Sequence, residues 1–231
     1  MRFLGKRSDN QTIYDIQEQY YDNYYNYTND DERQAFGFTI DDFHLSKKNP
    51  QLEVISIEQL LSMPIKHIHD LATLQGGKKI LDAVVTVPPY ADFRYRQQLK
   101  DAITLSGLNS LAFIHENTAA ALFYGLDRLD NETKHTAMFL NLGSSSLKAS
   151  LVEYIAIENN NTLTMEKNPQ IETVNVLAEA WDESVNGYQF TIRLSEIIAE
   201  KFDEIRGDDG PSFKESARRM YTIIAKAEKF K

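Results

Sequence analysis

The feature that most constrains this chain is the run Ile80-Leu81-Asp82-Ala83-Val84-Val85-Thr86-Val87, closed by Pro88-Pro89. A stretch this long, nearly continuous in apolar and β-branched residues, predicts a buried strand, and the prolines end it because they cannot donate to a ladder. Helical patterns flank it. Ser56 can cap a helix carrying Leu60, Leu61, Ile65, Ile68 and Leu71 at helical spacing, with Gly76-Gly77 ending it, and Ala91 to Ser106 reads as a second helix. Leu111 to Ile114 then reads as a short strand, and Glu116 to Tyr124 as an alanine-rich helix stopped by Gly125. His135 to Leu142 and Leu147 to Tyr154 form two strands around a polar turn, Asn159-Asn160-Asn161 signals a hairpin loop, and Ile171 to Ala180 is a further strand. Two amphipathic helices follow, one with Phe190, Leu194, Ile197, Ile198, Phe202 and Ile205, the other with Phe213, Ala217, Met220, Tyr221, Ile224 and Ala227. Strands and helices in this order define an α/β chain.

The first 55 residues differ. Six tyrosines between Tyr14 and Tyr27 stand among Asp, Asn, Gln and Glu, which predicts a mobile or half-exposed segment, a loop insertion in preference to an aromatic binding surface. Short strands are predicted at Ala35 to Ile40 and Gln51 to Ile55. Composition removes several functions. The absence of cysteine among 231 residues excludes a disulfide scaffold, a thiolate metal site and a cysteine nucleophile. A net charge of −9 argues against nucleic-acid binding, which needs clustered Lys and Arg. No apolar run approaches the roughly 18 residues of a membrane span, and Met1-Arg2-Phe3-Leu4-Gly5-Lys6-Arg7 is no signal peptide, so the chain as written looks cytoplasmic.

Chemistry concentrates at Asn141-Leu142-Gly143-Ser144-Ser145-Ser146, a turn between two strands. Small residues let backbone N–H groups converge on an anion and hydroxyls add donors, so the turn suits a phosphate, although an ordinary hairpin has the same composition. Gly76-Gly77-Lys78-Lys79 is no Walker loop, because it follows a helix and opens a strand. His67 and His69 diverge on a helix, which makes a metal pair improbable, and His115 forms no hydrolase triad with Ser144 to Ser146.

Three stretches taken together resemble the nucleotide-binding domain of the 70-kilodalton heat-shock protein family. They are Asp82 to Tyr90 followed by Arg96 to Ala102; Ser106-Gly107-Leu108-Asn109 followed by His115 to Ala121 and Tyr124 to Asp127; and the Asn141 to Ser146 turn. Arg2 to Arg7, Gly187 and Ala227-Glu228-Lys229-Phe230-Lys231 also match. Asn117, where the family usually has proline, the serine-rich turn and the degraded Val185-Asn186-Gly187 segment are similar to the large hypoxia-upregulated, glucose-regulated branch. Asn-Xaa-Ser/Thr acceptors at Asn10, Asn26, Asn131 and Asn160 lend mild support to a secretory compartment.

The resemblance implies an actin-like (ribonuclease-H-like) ATPase fold, as an incomplete two-lobed nucleotide-binding domain. Residues 1–55 would be the periphery of the first lobe and 56–134 its core, with 135–184 the partial core of the second lobe and 185–231 its helical outer part. It implies ATP or ADP as ligand, with Mg²⁺ weakly if at all, because Asn141 and Lys148 stand where the family usually has aspartates and neither supplies negative charge to a metal. Gly143, Ser144, Ser145 and Ser146 would contact phosphate. Gly187, Glu228 and Lys231 match nucleotide-contacting positions, although a helix entry turn also accounts for Gly187 and a solvated helix face is the ordinary explanation of the other two. Glu116 matches a carboxylate near metal-bound water, or is simply an acid favoured at a helix start. Pro88, Arg96 and Lys100 match residues coupling nucleotide state to a substrate-binding half, and Pro88 also ends a strand for local reasons.

The implied partners are unfolded protein clients and the main lumenal 70-kilodalton chaperone, with no nucleic acid and no membrane span. The implied place is the endoplasmic-reticulum lumen, with exchange-factor activity and weak or lost hydrolysis. The runner-up is a nucleotide-free interaction module on the same fold in the cytosol. Against the family pattern, the first phosphate loop and the later adenosine-binding segment are expected to lie outside this sequence.

Overall fold

A computed structural model describes residues 4–6, 27–30, 35–39, 54–128, 134–158, 170–207 and 210–230. The Asn10, Asn26, Asn131 and Asn160 acceptors, Tyr14 to Asn26, the Asn159 loop and Lys231 lie outside them. The chain divides into two compact units, Met1–Val84 with Ala91–Ala112 and Phe190–Lys231, and Val85–Tyr90 with Phe113–Gln189.

In the first unit, β1 (Tyr27–Asp30), β2 (Ala35–Thr39) and β3 (Val54–Ser56) form an antiparallel sheet in that order. Ser56 ends β3 and caps α1 (Ile57–Gly76), trading hydrogen bonds with Gln59 in a capping box. Gly77, at φ 63°, closes α1 in the left-handed region that glycine occupies without penalty. Helix α1 packs on α2 (Phe93–Leu105), whose N-cap Asp92 accepts from the Tyr95 amide at 2.8 Å. Leu99, Ala102 and Ile103 of α2 are buried.

Within the Arg2 to Arg7 stretch, residues 4–6 are described, and they belong to the same unit. Leu4 is buried, and Gly5 donates its N–H to Gln98 Oε1 at 2.6 Å. A Cβ on Gly5 would stand 2.9 Å from the Tyr95 Cβ, at a φ of +79° that side chains rarely adopt, so this glycine is required twice over.

Strands β4 (Asp82–Val87) and β5 (Asn109–His115) pair with each other and run from one unit into the other. The buried-strand expectation for Ile80 to Val87 is corrected here. Only Val87 is buried: Ala83 and Val85 alternate onto a half-buried face, and Asp82, Val84 and Thr86 onto an exposed one, so the strand is covered on one side and not on both.

The second unit is built on an antiparallel sheet in the order β6 (Lys134–Leu142), β7 (Leu147–Glu158), β8 (Gln170–Asp182). Helix α3 (Glu116–Arg128) packs on it over a core of Ala121, Val152 and Tyr154, with Tyr124, Ala137, Phe139 and Val174 around them. Tyr154 donates its hydroxyl to the Ala121 carbonyl at 2.8 Å. Gly125 does not stop α3. It lies buried inside the helix, which runs on to Arg128.

Helix α4 (Gly187–Arg206) and α5 (Ala217–Phe230) meet in the first unit over Ala199, Met220 and Ile223. Phe213 is not part of the last helix as expected. It sits on a 3₁₀ turn, Phe213–Glu215, capped by Ser212, and stacks on Phe202 at 5.3 Å between ring centroids. Asp203 fixes that turn by accepting from the Ser212 hydroxyl and the Phe213 amide, and these bonds, the Ser212 hydroxyl foremost, hold its carboxyl below the ordinary value. No described helix is long and apolar enough to cross a membrane.

Candidate functional site

The turn between β6 and β7 is closed by its own backbone. Gly143 donates its N–H to the Ser146 carbonyl at 3.0 Å. The carbonyls of Gly143 and Ser144 accept from the amides of Gly187 and Tyr188, at 2.8 and 3.2 Å, which supplies partners for two of the amides that a helix start leaves unpaired. Asn186 caps the same helix. It is fully buried, accepts from the Gln189 amide at 2.9 Å and donates to the Glu183 carbonyl at 2.8 Å. Gly187 is thus the entry residue of α4 and also the residue that ties α4 to the turn. Ser144 is exposed, Ser145 half-buried, and Ser146 fully buried with its hydroxyl 3.4 Å from that of Tyr90.

Asn141, Lys148 and Glu116 come together. Asn141 and Lys148 are directly opposed in the β6–β7 register, and Glu116 opens α3 on the same face. The Lys148 ammonium donates to Glu116 Oε2, and Asn141 Nδ2 reaches the same oxygen at 3.3 Å. Lys148 as a residue is only 5% exposed, so its charge depends on Glu116 for compensation.

Beside it lies a second polar set that sequence reasoning missed. His115 Nδ1 stands 2.7 Å from Glu179 Oε2, Ser150 donates to Glu179 Oε1 at 3.2 Å, and Asn117 Nδ2 donates to Ser150 Oγ at 3.0 Å and to the Phe139 carbonyl at 3.3 Å. Asn117 and Ser150 are buried. The available signal was period two, since Lys148, Ser150, Val152 and Tyr154 alternate onto one face of β7.

A register shift brings Glu179 to that face. Leu151 pairs with Ala178 and Val152 with Val176, so Leu177 is the extra residue of a β-bulge. Parity along β8 therefore changes, and Glu179 and Trp181 face the same way as Val174.

The other expected positions stand elsewhere. Glu228 accepts from the buried Thr191 hydroxyl within the first unit. Pro88 is buried just after β4, in the second unit. Arg96, on α2, donates Nε to the Ala91 carbonyl at 2.9 Å, and Lys100 is exposed one turn further along.

The donor set does not fit a divalent metal. Magnesium demands a near-octahedral shell of oxygens, usually with one or two carboxylates. Glu116 is the one carboxylate of this cluster, and its Oε2 is engaged by an ammonium and an amide.

A family model described as Hsp70 protein matches residues 6–231. Hypoxia up-regulated protein 1 of Rattus norvegicus is 30% identical over 99% of this chain, and that of Homo sapiens is likewise 30% identical over 99%. Heat shock 70 kDa protein 17 of Arabidopsis thaliana is 33% identical over 78%. The chain spans about a fifth of each of these relatives, 21%, 21% and 19% of their lengths. The fold is the actin-like ATPase fold, in mixed α/β form consistent with a partial lobe. Within that fold class, the chain belongs to the Hsp70 family.

Proposed function

We propose that this chain contributes to the nucleotide-binding domain of a large, endoplasmic-reticulum type Hsp70 chaperone. Residues 56–134 would belong to its first lobe and 135–231 to its second. The parent would bind ATP or ADP, hold unfolded clients in the lumen and act as exchange factor for the main lumenal chaperone. The observation that supports this reading most is the small-residue turn Gly143 to Ser146 between paired strands, with the start of α4 bonded to it, in a chain whose family match is continuous over residues 6–231. Gly143 spends its amide within the turn, so phosphate contact falls to the outer part, Ser144 and Ser145.

Saturation-transfer NMR on the purified chain tests this. ADP and ATP should bind saturably with a Kd of about 1 mM, near −4 kcal/mol, and adenosine more weakly because it lacks phosphate. No saturable transfer from either nucleotide would overturn the reading. The second reading, a nucleotide-free interaction module, is favoured by the way Asn141, Glu116 and Lys148 satisfy one another. Hydrolysis should be slow and partly recovered by Asn141→Asp combined with Lys148→Asp, and fast single-turnover hydrolysis by the wild type would contradict this.

A further inference from the structure

Lys148 is the unusual member of its cluster. A lysine is rarely buried without a reason, because removing an ammonium from water costs several kcal/mol unless a counter-charge and hydrogen bonds repay it. Here both come from a single carboxylate. Glu116 opens α3, Lys148 rises from the central strand β7, and Asn141, opposite Lys148, donates to the same Oε2. The hydrogen bond and the ion pair therefore link the start of α3 to both strands flanking the turn. A divalent ion bridging the same elements through Glu116 would do the same mechanical work, but it would have to displace the ammonium from the carboxylate that compensates it.

We propose that Lys148 is a resident cation. Its ammonium takes the position a divalent ion would need beside Glu116, so the chain binds no divalent metal there, and any phosphate held by the Gly143 to Ser146 turn is held metal-free. The last clause rests on reading that turn as a phosphate site. Exclusion of metal does not, and it can be measured without nucleotide.

Terbium ion is the probe. Trp181 is the chain's single tryptophan and is paired with Lys148 across β7 and β8, so an ion at Glu116 would lie within short range of the indole and its emission could be excited through that ring alone. The readout is the emission that Mg²⁺ suppresses and Glu116→Gln abolishes, which separates this site from other carboxylates. The wild-type chain should show none. Lys148→Asp should gain it, as a saturable signal absent from the wild type, because a repelling cation becomes a ligand. Should Lys148→Asp fail to fold by circular dichroism, Lys148→Ser, which removes the ammonium without opposing two carboxylates, should show a smaller gain of the same signal. Emission from the wild type that Mg²⁺ suppresses and Glu116→Gln removes would overturn the proposal. So would a folded Lys148 variant without the gain. A chain that binds no nucleotide yet shows the wild-type silence and the variant gain would overturn the phosphate reading alone.

Discussion

The two faces of the β6–β7–β8 sheet invert the usual expectation. The face under α3 carries Asn141, Lys148, Ser150 and Glu179 next to Phe139, Val152 and Tyr154, whereas the opposite face is apolar at its centre, with Met138, Leu140, Leu142, Leu147, Ala149, Leu151, Ala178 and Ala180, and turns polar towards its ends, at Lys134, Thr136, Glu153, Thr173, Asn175 and Asp182. Hydrophobicity alone would choose the second as the core. Yet Lys148 and Ser150 are buried, and Met138 and Leu140 are 63% and 65% exposed. Burial follows the position of the helix. The polar groups survive it because each has a partner, and an unpartnered one would cost about 1–3 kcal/mol or more. The covered face is thus where residues are held in place by specific bonds, as a site requires.

The comparison breaks most sharply at the ion pair. Glu116→Ala leaves the Lys148 ammonium buried and uncompensated, and should lower unfolding stability by about 3 kcal/mol in urea titrations. Lys148→Met should cost much less, about 1 kcal/mol or under, because it fills the same space and leaves Glu116, the more exposed partner, in contact with water. Equal losses would mean that the pair is solvated and the face is not a dry one. Next in size is Asn117→Pro, which restores the residue usual in the family. Asn117 lies in the first turn of α3, where a backbone N–H has no intrahelical acceptor to lose, so the loss should come chiefly from the bonds to Ser150 and Phe139, about 1–2 kcal/mol. A neutral or stabilising change would show that Asn117 is not what secures Ser150.

Much of the fold is legible in the amino-acid sequence. Ser56 and Gly77 mark the ends of α1 because capping is local chemistry, and the strand pair around Asn141 to Ser146 follows from alternation and small turn residues. The family resemblance brings Glu116, Asn141 and Lys148 into view without showing that they touch one another. Three features stay hidden for physical reasons. The bulge at Leu177 depends on pairing with β7, and nothing in the sequence of β8 alone reveals the change of parity that turns Glu179 toward His115. The helix passes through Gly125 because tertiary packing overrides a preference of only about 1 kcal/mol. Phe213 falls at helical spacing with α5, but the Ser212 and Asp203 bonds hold it on a separate turn.

Smaller effects sharpen the contrast. Burial, foremost, raises the Tyr154 phenol above its ordinary 10.0, with Tyr124 adding to the shift. A raised folded-state value means that this contribution to stability is complete below pH 10 and is lost as pH climbs through the folded value. Tyr154→Phe should flatten the alkaline limb of a pH–stability curve above pH 10, while costing about 1 kcal/mol at neutral pH for the lost bond to Ala121. An unchanged alkaline limb would mean that another group carries that loss.

The smallest change belongs to the apolar face. Leu140 sits between Asn141, whose side chain points at Glu116, and Phe139, which packs under α3, yet its own side chain points the other way. Leu140→Lys should therefore alter stability by no more than about 0.5 kcal/mol, since it removes no buried contact and adds a charge on a strand that is at the sheet's edge among the described residues, where charge also opposes strand-to-strand association. A loss of about 2 kcal/mol or more would be the signature of a leucine buried in solution. It would mean that both faces of the sheet are covered, so that only the polar bonds beneath α3 distinguish the site face from the other.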